Sequence, residues 1–198
     1  MSLRIISGSA KGIRLQVPKG RDVRPTLDRI KESLFNILGI MQGKIIIDLF
    51  AGSGNLGLEA LSRGAEKVFF LEKEKRFCSY IEKNCEMVSN AIHSSPKNNI
   101  NKAFTTKVIC ADALKPTKIL NYVKPDIIFA DPPYKMFSES KTFPHLIDKD
   151  FSEWASDSLL VIESGKKDIV FNKGDILWKP VKIKEFSDTT TIYFLRRK

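Results

Sequence analysis

A chain of 198 residues, 42% hydrophobic and 28% charged, has the make-up of an ordinary water-soluble domain and the length to bury a substantial core. No apolar run approaches the roughly 20 residues of a bilayer span, and the opening MSLRIISGSAKG holds no signal-peptide core, so no membrane is expected and a reducing cytosol is the expected home. The net charge of +10 sits at the two ends: basic residues outnumber acids nine to three in residues 1–44 and nine to four in 166–198, against fifteen to sixteen between them, the footprint of a polyanion such as nucleic acid.

The first element, LRIISGSAKGIRLQV, alternates apolar and polar residues about a glycine-containing turn and predicts a hairpin. RPTLDRIKESLFNIL places Leu27, Ile30, Leu34, Ile37 and Leu38 at helical spacing, with Pro25 and Thr26 at the start. Residues 1–42 thus form a basic hairpin-and-helix extension, and 43–198 the main domain. There KIIIDLF, KVFFLE, KVICAD and PDIIFAD predict buried strands. The helices NLGLEALSRG and KRFCSYIEKNCEMV and the short LKPTKILNYV, broken by Pro116, separate them. FSEWASDSLLVIES predicts a helix and then a strand, and VKIKEFSDTTTIYFLRR two strands joined at a polar turn. Such alternation is that of an α/β fold: a mostly parallel sheet covered on both faces, closed by an antiparallel hairpin. The polar stretch 89–106 is expected to be a long surface loop. Cys78, Cys85 and Cys110 lack CxxC spacing, and only His93 and His145 stand beside them, so neither a disulfide framework nor a metal is expected.

The chemistry gathers at strand ends. Gly52, Gly54 and Gly57 form a GxGxxG turn between a strand and a helix, where backbone can approach a ligand closely. Glu72, ending the next strand, is placed for ribose hydroxyls, which points to a nucleoside-bearing cofactor. Asp48, just before the glycines, suits a ligand ammonium group and opposes a dinucleotide pyrophosphate, favouring S-adenosylmethionine over NAD. Asp112 ends the third strand, where an adenine would lie. Asp131 ends the fourth and runs into Pro132, Pro133 and Tyr134. All four acids are expected to rim one crevice at the carboxyl ends of the strands. An exocyclic base amine is a poor nucleophile because its lone pair is delocalised. The Asp131 carboxylate and Pro132 carbonyl together can accept its two hydrogens, with Tyr134 as a stacking face.

ADPPY resembles the signature of methyltransferases acting on nucleobase amines, and DLFAGSGNLGLEALSRGA resembles their cofactor loop. With RPTLDRIKESLFNIL and the terminal TTTIYFL, nearly the whole chain is similar to the bacterial 16S rRNA guanine-N2 methyltransferase family. The resemblance implies a Rossmann-like class I methyltransferase fold with a seven-stranded sheet, and formation of N2-methylguanosine in small-subunit rRNA, free or partly assembled. It implies Asp131, Pro132, Pro133 and Tyr134 at the reacting amine. Asp48, Phe50, Gly52, Gly54, Glu72, Asp112 and Ala113 are implied at the methyl donor, and Arg4, Lys11, Arg14 and Arg24 at RNA, with Arg24, Pro25 and Thr26 beside the site. Two departures stand out: the length of segment 89–106, and Ser187 where the family usually has glycine. The competing assignments are an adenine-N6 methyltransferase using the same motif, an NAD(P)-dependent oxidoreductase, and a non-catalytic RNA-binding module.

Overall fold

A computed structural model of the chain describes residues 3–18, 28–96, 103–133, 149–165, 177–187 and 189–198. Pro25 and Thr26 at the expected helix start, Arg24, Tyr134, His145 and the stretch 166–176 lie outside these residues. Among the described residues the chain runs α1 (Asp28–Leu38), β1 (Ile45–Leu49), α2 (Asn55–Ser62), β2 (Lys67–Glu72), α3 (Lys75–His93) and β3 (Thr105–Cys110). It continues with α4 (Thr117–Leu120), β4 (Ile127–Ala130), α5 (Lys149–Trp154), β5 (Leu159–Ser164), β6 (Trp178–Ser187) and β7 (Thr190–Arg197).

The central strand β1 is almost wholly apolar because it is buried on both faces. It pairs in parallel with β2 on one side and β4 on the other; β3 extends the first side and β5 the second. β7 then joins β5 antiparallel, with β6 outside it, giving the order β3-β2-β1-β4-β5-β7-β6. The chain moves outward from β1 to β3 and then returns to the far side of β1, so the switch point lies between β1 and β4. Ligands of open α/β sheets bind at that point, beyond the carboxyl ends of the strands.

Side chains alternate between the two faces. Ile46, Val68, Phe70, Ile127, Phe129 and Val161 lie in one apolar cluster, shared with α1, α2, α3 and the amino-terminal hairpin through Leu34, Leu58, Ile81 and Ile5. Ile47, Leu49, Leu71, Ile128, Leu160 and Ile162 lie in the other, against Leu120, Phe151 and Trp178. The hairpin is pinned by the Arg4–Arg14 bridge and by Ile5 N–H donating to the Ile13 carbonyl at 2.9 Å. Residues 3–18 therefore sit on the sheet's own core as a strap across α2 and α3. Asn84 of α3 holds both backbone groups of Gln16, accepting from its N–H at 2.8 Å and donating to its carbonyl at 2.9 Å.

Two local expectations are corrected. The helix ending near Val88 continues to His93, into the stretch expected as loop, because Ile81, Cys85, Val88 and Ile92 prolong one buried stripe at spacings of four, three and four. Pro116 does not break a helix but precedes the first residue of α4, where a missing N–H costs nothing. At the distal end, Thr189 N–H donates to the Ser187 hydroxyl at 3.3 Å, a side-chain contact in the turn between β6 and β7.

Candidate active site

β1 delivers Asp48 to the face covered by α2, and the chain then turns through Phe50, the one non-glycine residue at positive φ (59°) among those described. A Cβ on Gly52 would meet nothing nearer than 3.9 Å, so the turn is open to a ligand there. Gly57 is the opposite case: a Cβ there would lie 2.4 Å from the Phe70 ring, so its absence lets α2 lie close on β2. Gly54 occupies the cap position of α2 at φ 77°.

Glu72 at the end of β2 ties two loops together. One of its carboxylate oxygens accepts the Gly52 N–H at 2.9 Å and the other the Glu74 N–H at 2.8 Å. Two bonds fix the group's orientation and leave half of its four acceptor sites free for a ligand. Asp48 accepts the Gly57 N–H at 2.9 Å and is only 4% exposed. Burial pushes its carboxyl up to about 8; the Gly57 bond opposes the rise, and the charges of Asp131 and Glu72 add to it.

Asp131 follows β4 directly. Its surface is open to solvent, yet desolvation pushes its carboxyl up to about 6. A group at the base of a recess combines those two properties. Pro132 beside it is buried and Pro133 exposed. The pairing of Ala130 with Ile162 brings Asp131 level with Glu163 of β5, on the same face by alternation. Glu163 is pushed up to about 8, first by desolvation and then by the Asp131 charge. Sequence reasoning missed Glu163. Its only local signal is an acid interrupting the apolar run LLVI one residue before the strand ends.

Glu72, Asp48, Asp131 and Glu163 thus line the carboxyl edge of four adjacent strands, β2, β1, β4 and β5. No cationic side chain among the described residues pairs with this row, and Asp48, Asp131 and Glu163 hold their protons more tightly than free carboxyls. Among the described residues no group of three or more His, Cys, Asp or Glu side chains is placed to hold a metal ion. The Asp48–Glu72 end of the row fits a cationic, ribose-bearing ligand: the buried Asp48 calls for an ammonium group, Glu72 offers free acceptor sites, and the backbone at Gly52 is bare.

Asp112 stands one strand further out, exposed past β3, and its carboxylate accepts the Leu114 N–H at 3.0 Å. Ala113 next to it is buried in the second apolar cluster. Arg4 donates to Asp28 at 2.8 Å, and Lys11 and Arg14 lie exposed on the hairpin. A cavity of about 380 Å³ opens between Arg4, Lys11, Asp28, Glu32 and Arg63, the last an addition that sequence reasoning did not include. No helix of the described residues is long and apolar enough to cross a membrane.

Residues 3–195 match the family described as Conserved hypothetical protein 95. The Ribosomal RNA small subunit methyltransferase D of Haemophilus influenzae is 34% identical over 167 residues, covering 84% of this chain and 80% of that one. This chain belongs to that family. The Putative rRNA methyltransferase YlbH of Bacillus subtilis is also 34% identical, over 83% of this chain and 84% of its own length. The solved structure described as a putative methyltransferase, yhhF, from Escherichia coli superposes with a TM-score of 0.72 at 28% identity, covering 100% of this chain and 99% of the other. The likeness of family and fold extends from the amino-terminal strap to β7.

Proposed function

We propose that this protein methylates small-subunit ribosomal RNA with S-adenosylmethionine as donor, and that the acceptor is the exocyclic N2 amine of a guanine. The observation that carries the assignment is that Asp131, followed by Pro132, ends the strand next to that of Asp48, so that it adjoins the acids that suit the donor. Membership of a ribosomal RNA methyltransferase family supports the reaction class and the RNA.

When bound, S-adenosylmethionine supplies an electrophilic methyl group. Asp48 answers the donor's ammonium group and Glu72 its ribose hydroxyls, while the Phe50–Gly54 turn leaves room for its backbone-facing edge. Asp131 and the Pro132 carbonyl accept the two hydrogens of the target amine, which turns its lone pair out of the plane of the base. Tyr134 supplies the stacking face. As the nitrogen gains the methyl group it sheds a proton, and the Asp131 carboxylate, pushed up to about 6, receives it. Arg4, Lys11, Arg14 and Arg24 engage the phosphate backbone, of free 16S rRNA or of a partly assembled subunit.

Nucleoside mass spectrometry of rRNA from cells with and without the gene tests this directly. N2-methylguanosine should fall in 16S rRNA by one residue per subunit; loss of N6-methyladenosine instead would favour the adenine enzyme. In vitro, Asp131→Ala and Asp131→Asn should lose about 10²–10³ in rate with donor and RNA affinity nearly unchanged. Near wild-type turnover by a folded Asp131→Ala that binds both ligands would remove Asp131 from the chemistry.

A further inference from the structure

We propose that Glu163 reads the target base, accepting the N1–H of guanine beside the amine that Asp131 holds, and so makes the site selective for guanine. The inference rests on the functional assignment above and adds to it the residue that chooses the base.

Three features support it. The first is register: Ala130 pairs with Ile162, so Asp131 and Glu163 are neighbours on parallel strands about 4.8 Å apart. The second is parity. Val161 lies in the apolar cluster beneath α1 and α2, as Phe129 does, so Glu163 and Asp131, two residues further on, leave the sheet on the same side. The third is charge: burial raises the Glu163 carboxyl, and the Asp131 carboxylate raises it further. Among the described residues no donor is hydrogen-bonded to the Glu163 carboxylate. A half-buried acid beside another acid is an unfavourable arrangement for the empty protein, and at the mouth of a binding site it calls for donors from a ligand.

Guanine has such an edge. Its N1–H and the two N2 hydrogens form a continuous row of donors, to be met by Glu163, Asp131 and the Pro132 carbonyl. Glu163 has one methylene more than Asp131, which gives it reach to the ring nitrogen next to the amine. The guanine N1–H favours the ionised form of Glu163 and draws it below the value of about 8 that it holds in the free protein, whereas adenine presents its amine beside an N1 lone pair that an ionised Glu163 would repel. A site built to hydrogen-bond a group rejects the analogue lacking it, because its own polar atoms are left unpaired.

The test compares two substrates: ligated 16S rRNA carrying the mapped target guanine, and the same RNA with 2-aminopurine in its place. The analogue keeps the N2 amine but has an unprotonated N1. Wild-type enzyme should prefer guanine by about 10²-fold in kcat/KM. Glu163→Gln, whose amide can donate to N1, should methylate guanine about 10- to 100-fold more slowly. It should bring the two substrates within roughly tenfold of each other. Glu163→Ala should lose the discrimination as well. Both variants should bind S-adenosylmethionine as the wild type does. The position-6 substituent differs in the same way for every enzyme, so only the change on substituting Glu163 reports the N1 contact. A role in packing alone would slow both substrates equally, and a retained preference of about 10²-fold in Glu163→Gln would overturn the proposal. If wild-type enzyme does not methylate guanine at N2 at all, it is the functional assignment that fails, and the assay separates the two outcomes.

Discussion

A buried acid, Glu59, and the row of acids at the strand ends lie within one face of this molecule, and they are treated in opposite ways. Glu59 of α2 is 0% exposed and surrounded by donors: the N–H groups of Ile6 and Ser7 at 2.8 and 3.0 Å, Arg63 Nε at 2.8 Å, and Lys31 Nζ at 3.3 Å. Lys31, itself 1% exposed, also donates to the Arg4 carbonyl and to Asn55 Oδ1. Among the described residues the row at the strand ends has no comparable complement. Asp48 has one backbone donor, and its acidic neighbours raise its proton affinity instead of answering its charge. Glu59 and its partners join the strap, α1 and α2 into one body. The row is left short of positive charge, and it lies where a cationic donor and a hydrogen-rich base edge are proposed to bind. Buried charge is structural where the protein completes its pairing and functional where completion is left to a ligand.

The largest effect expected from that contrast is on stability. Glu59→Ala would leave the buried Lys31 ammonium and two strap N–H groups without their carboxylate. A loss of about 3–5 kcal/mol in denaturant unfolding is expected, as for breaking a buried pair on one side. Replacing Lys31 and Glu59 together with Met and Gln should recover part of that loss. A Glu59→Ala protein of wild-type stability would show that the strap is held by its apolar contacts alone. The next effect is on the donor. Glu72→Ala removes an acceptor proposed for the ribose and two bonds that position the glycine turn, so S-adenosylmethionine should bind roughly 2–4 kcal/mol more weakly by calorimetry. Global stability should change less than in Glu59→Ala. Equal donor affinity in the variant and wild type would take Glu72 out of the donor site.

What the sequence makes legible follows from how local each cause is. Strand β1 with its Asp48, the glycine turn and Glu72 lie within 28 residues, and each is marked by an apolar run, an acid or a glycine at fixed spacing. Asp131 is marked by its prolines. Glu163 is not legible in this way, because its place beside Asp131 depends on how β5 registers on β4 across a crossover. Lys31 reads as the polar face of an amphipathic helix; it is buried only because Asn55 and Glu59 meet it from a second helix. The extension of α3 to His93 escaped notice because Ser89, Asn90 and His93 dilute a stripe that Val88 and Ile92 continue.

The most direct probe of the unanswered row is the dependence on pH. Asp48 has a folded-state value of about 8, above the ordinary carboxylate value near 4 that it takes when unfolded. Below about pH 4 both states carry the proton, and the group's contribution to stability is fully present. Between about 4 and 8 the unfolded chain releases the proton while the folded one keeps it. Stability of the free protein therefore falls as pH rises, by up to about 1.4 kcal/mol per pH unit for this one group. Asp131 and Glu163 shift in the same direction and steepen the fall. A donor whose ammonium group requires ionised Asp48 should reverse the trend, binding more tightly as pH approaches 8 and releasing a proton as it does. Melting curves with and without S-adenosylmethionine between pH 5.5 and 8.5 would measure both slopes. The wild-type protein alone should melt progressively lower with pH, while the gain from the donor grows. Asp48→Asn keeps an acceptor for the Gly57 N–H but cannot ionise. It should be more stable than the wild type near pH 8, show a shallower pH slope, and bind the donor more weakly with little pH dependence. If the donor-induced gain is the same at pH 5.5 and 8.5 in both proteins, Asp48 is an ordinary buried acid held by its helix N–H, and the contrast with Glu59 loses its functional half.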